Sequence, residues 1–387
     1  MELSPALEKV YTIEQLSARE AQQRAEWIAW GPVVFQASRL MVKLGILDLL
    51  HDCKDGLTRE EICRETGLSD YAAKCLLEAS LCIGTVLVDT ATDRYSLSKT
   101  GWFLLNDQAS RVNMDFVHDV NYQGWFHLEE SLKNGEPEGL KHFGDWPTVY
   151  EGLSSLPPEV QRSWFAFDHF YSDSSFPDAL KIIFDEHHVR SLYDVGGNTG
   201  KWALQCVAYN PEVRVTILDL PQQIEMMREN IKGREGADRI SGYAINLLDP
   251  EAKFPTPHQA PPLKGEGSKE DPVEGSQEGP DAIWMSQFLD CFSMDEIVGI
   301  LSRAREAMAS HTRIFIMETL WDRQRFDTAA FCLTMTSLYF TAIANGNSKM
   351  YNTEDMKACI EKAGLHIEHI YDGLGLGHSV MVVKSDE

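Results

Sequence analysis

The run Asp194-Val-Gly-Gly-Asn-Thr-Gly200 combines a carboxylate, three glycines and the start of a helix within seven residues. The apolar residues before it read as a strand, and Lys201 to Tyr209 reads as the helix after it. Glycines at such a junction let the backbone make a tight turn and approach a ligand closely, while the helix N-terminus presents free amide groups. A nucleotide-type cofactor is the chemistry this implies. The dinucleotide fingerprint G-x-G-x-x-G does not fit, since neither Gly196 nor Gly197 has glycines at the required offsets. Asp219 ends the next strand-like run, 23 residues beyond Gly196, where a carboxylate can accept both hydroxyls of a ribose. Taken singly, the glycines could be a plain turn and Asp219 a helix cap; their order and context favour a cofactor site.

The elements that must position these groups follow a strand–helix alternation, the mark of a parallel sheet with crossover helices. Strands are expected at Ser191–Val195, Arg214–Leu218, Ala282–Met285, Arg313–Met317 and Ser379–Val383. Residues 255–280 interrupt the pattern with six prolines, four glycines and many charges, and are expected to form a loop or disordered insertion.

The first half has a different rhythm. From residue 20 to 50, Trp27, Trp30, Val34, Phe35, Leu40, Leu44 and Leu47 recur near helical spacing, interrupted at Gly31-Pro32. Thr58 is a plausible N-cap, Gly67-Leu68-Ser69 closes one helix and caps the next, which runs from Asp70 to about Ile83, and two short extended runs follow at Thr85–Val88 and Arg94–Leu97. Helix–turn–helix plus hairpin is a winged-helix outline. The candidate recognition helix carries only Lys74 as a cation, so it reads as a packing element rather than a DNA reader. Residues 110–180 are mainly helical and rich in aromatic and histidine side chains. Most of these should be core, with Trp125, His127, His169 and Phe170 as candidates for lining an acceptor pocket.

Composition narrows the partners. The chain has 387 residues, enough for two domains, 43% hydrophobic residues and a formal net charge of -24. Its pI near 4.9 argues against nucleic acid or an anionic membrane, both of which require Lys and Arg to neutralise phosphates. No stretch of eighteen apolar residues or secretory leader is visible, and a cytoplasmic location is expected. Eight cysteines lie singly, without C-x-x-C pairs or clustered histidines, so reduced thiols are expected and no metal site. The stripe of Trp27, Trp30, Val34 and Phe35 is larger than a monomer surface usually tolerates and predicts a homodimer.

Four runs, Leu192-Tyr-Asp-Val-Gly-Gly-Asn-Thr-Gly200, Leu218-Asp-Leu-Pro221, Asp281 to Phe292 and Ile316-Met-Glu-Thr319, together resemble the caffeate and acetylserotonin type of S-adenosylmethionine-dependent O-methyltransferase. The resemblance covers nearly the whole chain. It implies an α/β fold, with a Rossmann-like catalytic domain over 181–387, preceded by a winged-helix-like dimerisation domain over 1–110 and a helical connecting segment over 111–180. The methyltransferase loop normally reads G-x-G-x-G, and Asn198 stands at the middle glycine. Asn is the non-glycine residue that most readily turns left-handed, so the departure is mild. The resemblance implies that Gly196 and Gly200 cradle the methionine part of S-adenosylmethionine, Asp219 holds the ribose, and Asn246 with Leu247 meets the adenine edge. Asp194, Gly197 and Leu220 complete the implied cofactor site.

The catalytic positions depart from the family. Where it has Leu-His-Asp-Trp with histidine as general base, this chain has Leu289-Asp290-Cys291-Phe292. Glu318 matches a family glutamate that orients the histidine, and a second such glutamate falls on Ser348. A phenol of pKa about 10 is mismatched by roughly six units to an ordinary aspartate and by roughly three and a half to histidine. Burial of Asp290 beside Glu318 could raise one of the two, because like charges at short range cannot both ionise cheaply. Asp290 as a local cap or hydrogen-bond partner is the competing reading. The expected function is O-methylation of a small aromatic acceptor. Carbon methylation of a phenolate ring, which needs a base less, and cofactor binding without methyl transfer are the alternatives.

Overall fold

A computed structural model describes residues 3–255 and 279–385. All but the ends of the expected 255–280 insertion therefore lies outside the described residues. The chain forms two compact units, one of residues 13–122 with 158–170, the other of 1–12, 123–157 and 171–387, so the aromatic stretch 111–180 is shared between them.

In the unit built on 13–122, helices Ala18–Ala29, Gly31–Lys43 and Ile46–Asp52 follow one another, the second opening on Pro32, whose missing amide costs nothing in a first helical turn. Thr58 caps helix Arg59–Thr66 in a reciprocal box with Glu61. Gly67 ends that helix at φ +72°, and Ser69 caps Asp70–Ile83. The hairpin strands β1 (Val86–Asp89) and β2 (Arg94–Leu97) complete the winged-helix outline. Its core is Met41, Ile46, Leu47, Leu50, Ile62, Leu77, Val86 and Leu105. Lys74 is half-exposed and pairs with Glu78 one turn on, leaving its helix face without free positive charge. The outward stripe differs from expectation in its members. Trp27, Ile28, Trp30 and Val33 are exposed, whereas Val34 is half-buried and Phe35 turns inward to stack on Tyr122 with ring centroids 5.5 Å apart.

The other unit is built on a seven-stranded sheet: β3 (Ser191–Val195), β4 (Arg214–Asp219), β5 (Ile240–Ala244), β6 (Ala282–Ser286), β7 (Arg313–Glu318), β8 (Leu365–Leu374) and β9 (His378–Ser385). The order is β5-β4-β3-β6-β7-β9-β8, parallel except at β9 and β8. All five expected strands are present. Alternate residues point to opposite faces: Leu192, Ala282, Trp284, Phe315 and Met317 join one core with Trp202, Ile217 and Met227, while Tyr193, Val195, Ile283, Met285, Ile314 and Ile316 join the other with Ile297, Leu301 and Ile360. Strands buried on both sides need continuous apolar sequence, which is why these were visible in it.

Two strands were not anticipated. β5 carries Gly242 at its centre, where a side chain would meet Met227 and Ile224, so it lacks the apolar density of a central strand. β8 is an edge strand with His366, Glu368, His369 and Asp372 along it and two shifts in register, features that suit an edge and disguise it. Among the described residues no helix is long and apolar enough to cross a membrane.

Candidate active site

Strand order reverses between β3 and β6, and in such sheets the crevice outside the carboxyl ends of the strands at that point is where ligands bind. Every candidate cofactor and catalytic residue lies on or just beyond those carboxyl ends: the glycine loop after β3, Asp219 and Leu220 at β4, Asn246 and Leu247 after β5, Asp290 after β6 and Glu318 ending β7.

The glycine loop is shaped as its composition requires. Gly196 and Gly200 have φ of +71° and +77°, and Asn198 takes the left-handed conformation at +48°. At Gly196 a β-carbon would collide with the Phe288 ring, and at Gly197 it would lie 2.5 Å from Asp194 Oδ2, so backbone and neighbours pack closer than any side chain permits. The Asn198 amide donates to Asp219 Oδ2 at 2.9 Å and the Leu220 amide to Oδ1 at 2.8 Å. Each carboxylate oxygen thus retains acceptor capacity. Asn246 is exposed and turns its side-chain oxygen back to the Leu248 amide at 3.0 Å, while Leu247 is buried, its carbonyl held by Arg303.

Four carboxyl groups gather along this edge. Asp194 is 2% exposed, its Oδ2 has no partner among the described residues, and burial, reinforced by the nearby Asp219 charge, pushes its pKa up to about 8. Burial also raises Asp219, against the pull of its two amide donors. Glu318, 3% exposed, is driven well above the ordinary carboxyl range by burial and then by the charge of Asp290, itself 5% exposed. Glu318 Oε1 accepts the amides of Phe288 and Leu289 at 3.2 and 3.0 Å, whereas Oε2 is buried without a partner among the described residues. None of the interactions described at Asp194, Asp219 or Glu318 involves a cation. S-Adenosylmethionine supplies what this edge lacks: positive charge on sulfur and nitrogen, and ribose hydroxyls to donate to a carboxylate. The residues present fit it.

Asp290 lies close enough to Glu318 for its charge to raise the Glu318 carboxyl further. Ser348, at the position of the second family glutamate, is buried and donates its hydroxyl to Asn345 at 3.0 Å. The four pocket candidates divide between the two units. Trp125 is half-buried and donates to the Leu338 carbonyl at 3.3 Å, and exposed His127 lies 3.4 Å from Glu130; His169 is exposed and stacks on Phe165, and Phe170 is half-buried. Sequence reasoning missed Tyr150, whose hydroxyl hydrogen-bonds Cys291 and lies close enough to Asp290 to feel its charge. It also missed Asn345 and Tyr351, which bond the carbonyls of Cys291 and Phe292. All three residues lie 55 or more positions from Asp290 along the chain, and no local pattern marks them.

A glycine loop at the switch point, a carboxylate on the adjacent strand and a winged-helix unit define the class of two-domain methyltransferases. Two family models match accordingly, a Dimerisation2-like domain over residues 22–95 and an O-methyltransferase domain over 157–246. The chain is an S-adenosylmethionine-dependent methyltransferase, similar to the caffeate/acetylserotonin O-methyltransferase type. It is 22% identical over 346 residues to an L-tyrosine C(3)-methyltransferase of Streptomyces lavendulae, covering 88% of this chain and 86% of that one. It is 25% identical over 212 residues to acetylserotonin O-methyltransferase of Gallus gallus, covering 51% and 59%. In fold it is similar to the S-adenosylmethionine-dependent methyltransferase SibL in its apo form, with a TM-score of 0.66 and 22% identity, covering 93% of this chain and 98% of that one.

Proposed function

We propose that this enzyme transfers the methyl group of S-adenosylmethionine to the hydroxyl oxygen of a small aromatic acceptor, with Asp290 and Glu318 taking the place of the family's histidine. The observation that carries this reading is the buried carboxyl pair. Glu318 is anchored by two backbone amides through Oε1, and burial together with the Asp290 charge raises its affinity for a proton. Two close carboxyl groups titrate as a unit, and the doubly ionised pair takes up its first proton far more readily than an isolated aspartate does.

When bound, the cofactor supplies an electrophilic methyl on a sulfonium, and the protein's part is alignment and deprotonation. In this reading Asp194, Gly196, Gly197, Gly200, Asp219, Leu220, Asn246 and Leu247 hold the cofactor. Asp290 removes the acceptor proton, and Trp125 and His127, in the same unit, contribute to the acceptor pocket. The enzyme acts as a homodimer through the exposed Trp27, Ile28, Trp30 and Val33, without nucleic acid or membrane partners. Eight free thiols suit a reducing compartment and support a cytoplasmic location.

The relative that methylates a tyrosine ring carbon favours one second reading, attack through carbon of an already ionised phenol. Incubation with methyl-labelled cofactor and a panel of phenols, with the label located by mass spectrometry and NMR, decides between them. Label on oxygen supports the proposal; label on a ring carbon replaces it; no transfer to any phenol removes the phenolic acceptor.

A further inference from the structure

Asp290 sits in a three-residue 3-10 turn, Leu289–Cys291. So short a turn has little intrinsic stability and depends on outside partners for its shape. On its amide side the partner is Glu318, through Phe288 and Leu289. On its carbonyl side the partners come from the stretch that follows the π-helical turn Phe340–Ala344. Asn345 Nδ2 donates to the Cys291 carbonyl at 2.6 Å, and the Tyr351 hydroxyl donates to the next carbonyl, Phe292, also at 2.6 Å.

Asn345 is itself locked. Its Oδ1 accepts the amides of Asn347 and Ser348, each at 3.2 Å, and the Ser348 hydroxyl at 3.0 Å. Three donors on one atom and a carbonyl facing the other leave a single orientation of the carboxamide that satisfies every group. Ser348 therefore braces Asn345, where the family's second glutamate would act on the base itself. Gly346, at φ +85°, has no room for a β-carbon against the backbone of Glu136 and Gly135, which fixes the bend that presents Asn345.

We propose that Asn345 is a positioning residue, which sets the Asp290 carboxyl against Glu318 by holding the Cys291 carbonyl, with Tyr351 as its second support. The proposal rests on the reading of Asp290 as proton acceptor. Neither Asn345 nor Tyr351 need touch the acceptor for this. A carboxyl displaced by an ångström from its working position loses most of its value in proton transfer.

Asn345→Asp separates the two functions of the side chain. It keeps the oxygen that accepts from Asn347 and Ser348, and replaces the donor by a second oxygen facing the Cys291 carbonyl. We expect kcat on a phenolic acceptor to fall about tenfold to a hundredfold, with S-adenosylhomocysteine affinity and the thermal transition close to wild type. The acidic limb of the kcat profile should move from its wild-type position, because the released turn changes the burial that raises Glu318 and the new carboxyl adds charge beside it. In an Asp290→Asn background the same change should cost nothing further. Wild-type kcat and pH profile in Asn345→Asp, or an equal loss in both backgrounds, overturns the positioning role while leaving a slow Asp290→Asn intact. Wild-type turnover in Asp290→Asn alone overturns the base reading, and the positioning role with it. Should Asn345→Asp not fold, Tyr351→Phe removes one hydroxyl donor and keeps the ring. It should give a smaller loss of kcat with the acidic limb moved to lower pH, since burial is relieved and no charge is added, and an unchanged profile there overturns the proposal as well.

Discussion

The backbone amide of Asn198 donates to Asp219 Oδ2 at 2.9 Å, so the carboxylate proposed to bind the cofactor also ties the glycine loop of β3 to the tip of β4. The second oxygen holds the Leu220 amide at 2.8 Å, and both retain lone pairs. Asp219→Ala should therefore lose more than one ribose contact. Each charge-assisted bond removed is worth about 1.5 to 3 kcal/mol, and the loop loses its tether in addition. Calorimetry with S-adenosylhomocysteine reads this directly, and an unchanged dissociation constant would take Asp219 out of the site.

Asp194 gives a prediction about stability. Burial, then Asp219, raises its folded-state pKa to about 8, against an unfolded value near 3.9. Between those values the folded protein keeps a proton that the unfolded chain has released. The stabilisation from that proton is full below about pH 4 and is lost as pH rises through 8, with a limiting slope of about 1.4 kcal/mol per pH unit. Asp194→Asn cannot ionise, so its unfolding free energy should fall less than that of wild type from pH 5 to pH 8. Denaturant titrations of the cofactor-free proteins that run parallel across that range would show that Asp194 is not the group responsible.

Much of this arrangement was legible in the sequence, and what was not has a physical reason. The strands that carry Asp194, Asp219 and Glu318, and the one that leads to Asp290, are buried on both faces and announce themselves as apolar runs. Asn198 is readable as a left-handed residue because few others tolerate that conformation, and it adopts φ +48°. β8 was hidden because an edge strand carries the polar residues that blur its alternation. The inward turn of Phe35 could not be read from helical spacing, since it depends on Tyr122, 87 positions away. Asn345 was invisible for the same reason: its function lies in one carbonyl 54 positions earlier.

The exposed set on helices Ala18–Ala29 and Gly31–Lys43 predicts association. Trp30 is 62% exposed, and Ile28 and Val33 beside it more than half. Burying such side chains is worth about 25 cal/mol per Å² of apolar surface, enough to hold two copies together once several are covered. Light scattering at micromolar concentration should give the mass of a dimer. Trp30→Asp should shift it toward the monomer with the thermal transition of the monomer retained, and a monomeric wild type would contradict the dimer outright.

The base is the residue whose identity differs most from the family, and its test separates oxygen from carbon chemistry. If the Asp290–Glu318 pair accepts the phenolic proton, Asp290→Asn should lower turnover by about a hundredfold to ten-thousandfold, the usual range for removal of general acid–base help, with cofactor affinity unchanged. The sign of the pH dependence follows from Glu318. Its pKa is raised by burial and by Asp290, so the doubly ionised pair takes up its first proton at a higher pH than free carboxyls do. Wild-type turnover should therefore rise with pH through a limb displaced upward from the ordinary carboxyl range, and Asp290→Asn should lose that limb. In carbon methylation of an ionised phenol the same substitution costs little, and the rate follows the acceptor's own ionisation. Asp290→His restores the family residue and should sustain oxygen methylation where the acceptor hydroxyl reaches position 290. Wild-type-like turnover in Asp290→Asn with an oxygen-methylated product would rule out Asp290 as base and direct attention to His127 and His169.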